Sequence, residues 1–523
     1  MNTQNTPSSQ PAFIQAMLKP EFYEHAVDYC QLIETHISWV ILTGEFVYKI
    51  KKPVDFGFLD FSTLEKRKFY CEEELRLNRR LAENLYLNVI PLTGSPDEPI
   101  LKGEGKAFEY VVKMLPFSQE MQLDHVLARN ELKPDMIDSI AYLIADFHQH
   151  IDKANNTSNF GIPESVYQPT EENFIQIREK VTNQKQLQLL SALEQWSNDT
   201  FDHIKNILSE RKHNGFIREC HGDLHLRNIA WYENKPLAFD CLEFNANFRW
   251  IDVMSEIAFL VMDLDDHKQP ELAQRFLNQY LEISGDYDGC RVLRYYLVYR
   301  AMVRAKVAAI RSHQSGISQQ ETNEANKEFN SYLELALTYT KQQAPFVIIT
   351  RGMSASGKST ITQALLEKVG AIRIRSDRER KRLFNIKPNQ NSHANAGQGI
   401  YDAEATQKTY HKLLALTETI IDGGFPVIID ATFSKPEQRQ LFKDLATKKH
   451  VRYIILEFSA THETLKQRIR NRKNDVSDAD ITILENQIKK WNPLEPNEMA
   501  DSNIINTEES VDMADLIKQL KFD

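Results

Sequence analysis

A chain of 523 residues is too long for one ordinary hydrophobic core, so two or three domains are expected. Its composition, 42% hydrophobic and 26% charged, is that of a soluble globular protein, and a net charge of −10 argues against coating nucleic acid through bulk charge. The cysteines (Cys30, Cys71, Cys220, Cys241 and Cys290) are scattered, odd in number and lack a C-x-x-C pair, which argues against a disulfide framework or zinc ribbon and for a cytoplasmic compartment.

The start, MNTQNTPSSQPAF, is polar and lacks a basic stretch ahead of an apolar core, so no secretory leader is expected. No apolar run approaches the roughly eighteen residues of a membrane span. Residues 1–35 read as an N-terminal extension, disordered over its first dozen positions. In HISWVILTGEFVYKIKK (36–52), two β-rich runs flank Thr43-Gly44-Glu45, the pattern of a hairpin. STLEKRKFYCEEELRLNRRLAEN (62–84) opens with Ser62 and Glu65 in capping-box spacing and continues as a charged amphipathic helix. Short β-like runs follow near 86–92 and 107–115, then helical patterns at 135–150 and 170–212. A second hairpin is expected within HGDLHLRNIAWYENKPLAFDCLEF, and helices dominate 251–340. A few strands followed by helical bulk suggest a small β-rich lobe on a larger helical one.

HGDLHLRN (221–228) admits two chemistries. On an extended strand His221, Asp223 and His225 would share a face, as metal ligands do. Alternatively, Asp223 and Asn228 stand at the H-x-D-L-x-x-x-N spacing of a phosphotransfer catalytic loop, and Asp240 follows at the end of the apolar run LAFD. The second is favoured, because Asp240 appears where that loop needs it and no further metal ligand appears at useful spacing. Asp223 would then be the base, Asn228 and Asp240 the Mg²⁺ ligands, and His221 a brace. The phosphate-binding lysine would be Lys49 in FVYKIKK, with Lys51 as its competitor two residues on. Its carboxylate partner would be Glu74, preferred to Glu72 and Glu73 in CEEEL.

The pattern changes near 340–345. FVIIT, AIRIR, PVIID, RYIILEF and NIIN are short strand candidates separated by helical segments, the signature of a parallel sheet covered on both faces. After the first strand comes Gly352-x-x-x-x-Gly357-Lys358-Ser359-Thr360, a P-loop. Its backbone N–H groups close around phosphates, Lys358 reaches the β/γ-phosphates and Ser359 holds Mg²⁺. Asp377, past the second strand, is either the base for an acceptor hydroxyl or a helix N-cap. Asp430 ends the VIID strand, as a Walker-B carboxylate would. Arg468 and Arg472, four apart on a helix, either close over phosphates or face water. The acidic run with Asp263, Asp265 and Asp266 could attract a cationic acceptor or simply end a solvated helix. Arg300, Arg304 and Arg311 could meet an anionic substrate or water.

On GMSASGKS, RSDRERKRLF, VIIDATF and LKQRIRNR, residues 345–523 resemble P-loop kinases of small-molecule or nucleic-acid hydroxyls, such as gluconate kinase and the 5′-kinase domain of polynucleotide kinase. That resemblance implies Asp377 as base and Arg380 as a substrate or phosphate contact. On HGDLHLRN and FDCLEF, residues from about 36 to 310 resemble the aminoglycoside phosphotransferase family of the protein-kinase-like superfamily. FRWIDVMSEIAFL looks like that family's helix after the metal-binding loop, which implies that Asp252 braces the catalytic loop. The stretch VYKIKKPVDFGFLDFSTLEKR and the fusion itself resemble bacterial two-domain phosphotransferase/ATP-binding proteins. One departure stands out: no G-x-G-x-x-G loop is present, only Gly44.

The expected fold is therefore an α+β protein-kinase-like bilobal domain (36–340) followed by an α/β P-loop NTPase domain with a parallel sheet (345–523). The expected activity is a tandem kinase using ATP and Mg²⁺, each domain phosphorylating a hydroxyl of a small molecule. A nucleic-acid end or nucleotide is an admissible, less favoured acceptor for the second domain. The alternative is that only the P-loop domain is an active kinase and the first domain is a nucleotide-binding scaffold or regulatory switch.

Overall fold

The computed structural model of the protein describes residues 10–57, 59–314, 316–341, 344–386, 399–471, 481–489 and 491–521. The chain divides into two compact units. One comprises residues 1–136, 150–161 and 212–256; the other comprises 137–149, 162–211 and 257–523. Among the described residues no helix is long and apolar enough to cross a membrane.

The first unit is built on an antiparallel sheet of β1 (Gln31–Glu34), β2 (Ser38–Leu42), β3 (Val47–Lys51), β4 (Tyr86–Gly94), β5 (Pro99–Leu101) and β6 (Glu109–Met114), in the order β1-β2-β3-β6-β4-β5. Alternation along the β2–β3 hairpin separates two faces. Trp39, Ile41, Tyr48 and Ile50 enter one core with Phe13, Ile90 and Val111. Lys49 and Lys51 emerge on the opposite face. There the helix Leu64–Asn78 supplies Cys71, packed with Tyr86 and Val112. Gly44 takes φ +86° in the hairpin turn, which suits a residue without a Cβ. β1 lies inside the stretch read as an N-terminal extension and pairs with β2 along its whole length.

The helix Leu64–Asn78 starts differently from its sequence signature. Its N-cap is Thr63, whose hydroxyl accepts from Lys66 N–H at 3.3 Å. Ser62, expected to open a capping box, instead donates its hydroxyl to Asp60 at 2.6 Å. A local carboxylate two residues upstream competes successfully for that hydroxyl.

Two ribbons complete the unit. β7 (Ile217–Glu219) pairs with β10 (Trp250–Asp252), and β8 (Ile229–Tyr232) forms a hairpin with β9 (Lys235–Ala238). Glu233 and Asn234 both have positive φ, as the favoured two-residue hairpin turn requires.

The second unit holds a parallel sheet of β11 (Phe346–Arg351), β12 (Ile372–Arg375), β13 (Val427–Asp430), β14 (Arg452–Ser459) and β15 (Ser502–Asn506), ordered β12-β13-β11-β14-β15. Every residue of β11 is buried, which explains its continuous apolar run in a central strand covered on both faces. Ile348, Leu365, Ile428, Leu456 and Leu516 form the core on one face. The 170–212 stretch contains parts of two helices, Pro163–Arg178 and Gln184–His213, rather than one run.

Several charged runs in this unit are absorbed internally. Asp265 accepts from the Tyr339 hydroxyl at 2.6 Å and Asp266 from that of Ser331 at 2.8 Å. The run ends the helix Val253–Asp266, with these two carboxylates hydrogen-bonded rather than simply solvated. Arg300 lies over Phe259, Arg304 over Tyr332, and Arg311 pairs with Glu328.

Candidate active sites

In the first unit the 221–228 loop is fixed from beneath. His221 N–H and Gly222 N–H donate to the two oxygens of Glu256 at 3.1 and 2.6 Å. Gly222 has φ +90°, and a Cβ there would sit 2.8 Å from the Phe248 carbonyl oxygen, so only glycine fits. His221 is fully buried. Its Nε2–H donates to the Phe239 carbonyl at 2.9 Å, and its Nδ1 accepts from Asp223 N–H at 3.3 Å. Burial pushes its imidazole pKa down and keeps it neutral. Both ring nitrogens are thus committed to backbone groups, which removes His221 from the metal-ligand alternative.

Asp223 stands at the loop surface. Asn228 Nδ2 donates to its Oδ2 at 3.0 Å and to its carbonyl at 2.9 Å. The amide's donor end is therefore spent, and its carbonyl end is the one suited to a cation. His225, unexplained by the loop motif, places Nε2 3.4 Å from Asp223 Oδ2. Asp252, expected to brace this loop, accepts from Met254 N–H at 2.9 Å.

Opposite the loop, Lys49 Nζ lies 2.7 Å from Glu74 Oε1 and donates to Asp240 Oδ1 at 2.9 Å. Lys51 Nζ bonds the other Glu74 oxygen at 2.7 Å and also Glu243. One buried carboxylate thus sits between two ammonium groups. Burial would raise the Glu74 pKa, but Lys49 and Lys51 together hold it below the usual carboxylate range. Burial, with the Glu74 charge beside it, pushes the Glu243 carboxyl up against the pull of Lys51. The two lysines differ in access: the Lys49 side chain is 15% exposed and reaches Asp240, whereas Lys51 is 1% exposed and enclosed. Glu73 is engaged elsewhere, with Arg76 and Arg249. Asp240 itself has φ +60° and a half-exposed carboxylate, turned outward by that backbone.

In the second unit the P-loop joins β11 to the helix Lys358–Val369. A Cβ on Gly352 would fall 2.5 Å from Ser356 Oγ and 3.0 Å from the Phe458 carbonyl oxygen, and Gly357 has φ +87°. This is a backbone cradle that side chains would fill. Lys358 Nζ donates to the carbonyls of Gly352 and Met353 at 2.9 and 2.8 Å, curled across its own loop. Ser359 Oγ donates to Asp430 Oδ2 at 2.7 Å, uniting the two residues expected at a metal.

A cavity of about 600 Å³ opens here, lined by Gly357, Lys358, Ser359, Thr360, Asp377, Arg380, Asp430 and Arg468. Arg468 donates to the Ala355 carbonyl at 3.3 Å and to Thr507 Oγ1 and O at 3.0 and 2.6 Å. It faces the phosphate cradle rather than water. Arg472 lies outside the described residues. Asp377 falls in the first turn of the helix Ser376–Leu383, whose N-cap is Arg375, so it is not an N-cap. Arg380 donates to the Ile400 carbonyl at 2.7 Å and lies over Tyr401.

Four contributors went unread in the sequence. Glu243 and Glu256 lie in the LEF and DVMSEIAF segments, where only their closeness to Asp240 and the 221–228 loop could have flagged them. Gln487, which accepts from Ser354 N–H at 2.8 Å, and Thr507, which donates to the Ser356 carbonyl at 3.0 Å, carry no local signature.

The donor sets suit the groups expected at each site. A glycine cradle with a lysine and a serine–aspartate pair fits a Mg²⁺–nucleotide, as does the set of Lys49, Asn228 and Asp240.

Residues 70–293 match the model of the phosphotransferase enzyme family, and residues 347–494 that of an AAA domain. An uncharacterized protein of Mycobacterium tuberculosis is 28% identical over 450 residues, spanning 86% of this chain and 88% of its own. One from Mycobacterium bovis matches to the same extent. Among solved structures, an amicoumacin kinase in complex with AMP-PNP and Ca²⁺ aligns at 12% identity over 61% of this chain and 92% of its own, with TM-score 0.39. A gluconokinase from Sinorhizobium meliloti aligns at 15% identity over 34% and 90%, with TM-score 0.25. The chain joins a domain of the phosphotransferase enzyme family to a P-loop kinase-like domain, and it is a phosphotransferase.

Proposed function

We propose that the chain is a tandem kinase, dividing near 340–345, with two separate ATP- and Mg²⁺-dependent sites that each phosphorylate a hydroxyl of a small molecule in the cytoplasm. The observation that carries this reading is the bonding of Lys49 to both Glu74 and Asp240 in one unit, while a complete P-loop stands in the other. A lysine merely solvating a strand end would not join a helix carboxylate to a residue 191 positions away.

When bound, Mg²⁺–ATP supplies the γ-phosphoryl group. In the first domain Lys49, oriented by Glu74, neutralises α/β-phosphate charge, and Asn228 and Asp240 hold the cation. Asp223 would accept the acceptor's proton as that hydroxyl oxygen bonds to the γ-phosphorus and the bond to the β-phosphate oxygen breaks, with ADP as leaving group. In the second domain the P-loop amides, Lys358 and Arg468 surround the phosphates, Ser359 and Asp430 serve the cation, and Asp377 takes the proton. Catalysis in both is mainly positioning and charge neutralisation.

A second reading keeps only the P-loop domain active. Its support is the β2–β3 turn, which carries the single glycine Gly44 in place of a G-x-G-x-x-G loop.

Transfer of labelled γ-phosphate to a fractionated metabolite pool separates the two. In the tandem reading Asp223→Ala and Lys358→Ala each abolish a different set of products. If Asp223→Ala changes nothing while Lys358→Ala removes all transfer, the first domain is a scaffold.

A further inference from the structure

The helix Pro270–Ser284 belongs to the region that matches the phosphotransferase family, yet it lies in the same compact unit as the P-loop sheet. Its contact with β12 is specific. β12 is an edge strand, with β13 on one side only, and a bare edge leaves backbone groups unpaired. The buried Asn278 side chain covers that edge as a neighbouring strand would. Its Nδ2 donates to the Ala371 carbonyl at 3.0 Å, and its Oδ1 accepts from Arg373 N–H at 2.7 Å.

One turn further along the same helix, Glu282 is 1% exposed and faces three arginines. Arg373 Nε and Nη2 both donate to Glu282 Oε1, at 2.9 and 2.7 Å. Arg378 Nε and Arg375 Nη1 lie 3.1 and 3.9 Å from Oε2. Burial would raise the pKa of this carboxyl, but the three guanidinium groups hold it below the usual range.

Two of those arginines continue to the nucleotide cradle. Arg373 Nη1 donates to the Ser359 carbonyl at 3.1 Å. Arg375 Nε lies 3.9 Å from Asp430 Oδ2, the same oxygen that accepts from Ser359 Oγ. Both routes converge on the serine–aspartate pair. Arg375 is shared between the Glu282 and Asp430 carboxylates, so removing the Glu282 charge shifts its attraction toward Asp430, in competition with a divalent cation.

We propose that Glu282 is a positioning residue of the P-loop site: it holds Arg373 and Arg375 so that Ser359 and Asp430 remain available to Mg²⁺. The P-loop site is complete only with a helix contributed by the neighbouring phosphotransferase domain. This rests on the assignment of the P-loop as a Mg²⁺–nucleotide site.

The test uses the full chain and the fluorescent N-methylanthraniloyl derivative of ATP, titrated with and without Mg²⁺, beside thermal melts. The P-loop signal is the part lost in Lys358→Ala. In Glu282→Gln, binding with Mg²⁺ weakens by about tenfold while Mg²⁺-free binding stays within about twofold, and Glu282→Asp recovers most of the loss. Unchanged Mg²⁺-dependent binding in Glu282→Gln overturns the proposal. Equal loss of both affinities with a lowered melting temperature also overturns it, leaving Glu282 a purely structural group. Absence of any Lys358-dependent signal in the native chain overturns the nucleotide assignment itself, and the proposal with it.

Discussion

Glu74 and His221 show how single residues set the chemistry of the first site. Glu74 would be costly to bury alone, and it is tolerated because each oxygen meets an ammonium group, Lys49 on the open side and Lys51 on the closed side. Lys49 is thereby aimed toward Asp240 instead of rotating freely. His221 acts through neutrality. Its pKa in the fold lies below the ordinary value of 6.5, so below that pH the unfolded chain binds a proton that the folded chain resists. Its contribution is present above pH 6.5 and is lost as pH falls. The melting temperature should therefore drop between about pH 7.5 and 5.5, and that drop should shrink in His221→Asn, which has no imidazole to protonate. Equal drops in both proteins would mean that His221 is not held neutral.

At the scale of elements, what was legible in the sequence is what depends on local pattern. The five strands of the parallel sheet were readable because each is a short apolar run between helical segments. The P-loop was readable because its glycines and lysine sit at fixed spacing. Lys49 and Glu74 could be named because their order along a strand and the next helix is itself informative. The start of that helix misled: Ser62 and Glu65 had the right spacing, but Asp60 captured the serine. Less legible still were residues whose partners lie far along the chain, such as Glu243 for Lys51 and Glu282 for Arg373. Periodicity says that a helix is buried, not which strand it covers. Asn278 is the clearest case, a polar residue in an amphipathic helix that serves as the missing neighbour of β12. Asn278→Leu keeps the branched shape but strands one carbonyl and one N–H, and should lower stability by about 2–5 kcal/mol in denaturant unfolding. A loss below roughly 0.5 kcal/mol would show that the edge finds other partners.

For the whole molecule, the two sets of residues proposed to handle phosphate stand in different compact units, assembled by unrelated means. One uses an antiparallel sheet, a helix carboxylate and a loop between short ribbons. The other uses the carboxyl ends of parallel strands and a helix N-terminus. Length and composition predicted more than one domain, and the motifs assigned a chemistry to each. They did not indicate that a helix of the first family region would complete the sheet edge of the second. That feature gives a physical reason for the two domains to share one chain.

The most direct measurement is the number of nucleotides bound per chain, by calorimetric titration with a non-hydrolysable ATP analogue and Mg²⁺. Two sites are predicted, one removed by Lys358→Ala and the other by Asp240→Ala, each without effect on its counterpart. A single site that disappears with Lys358→Ala and ignores Asp240→Ala would contradict the tandem account.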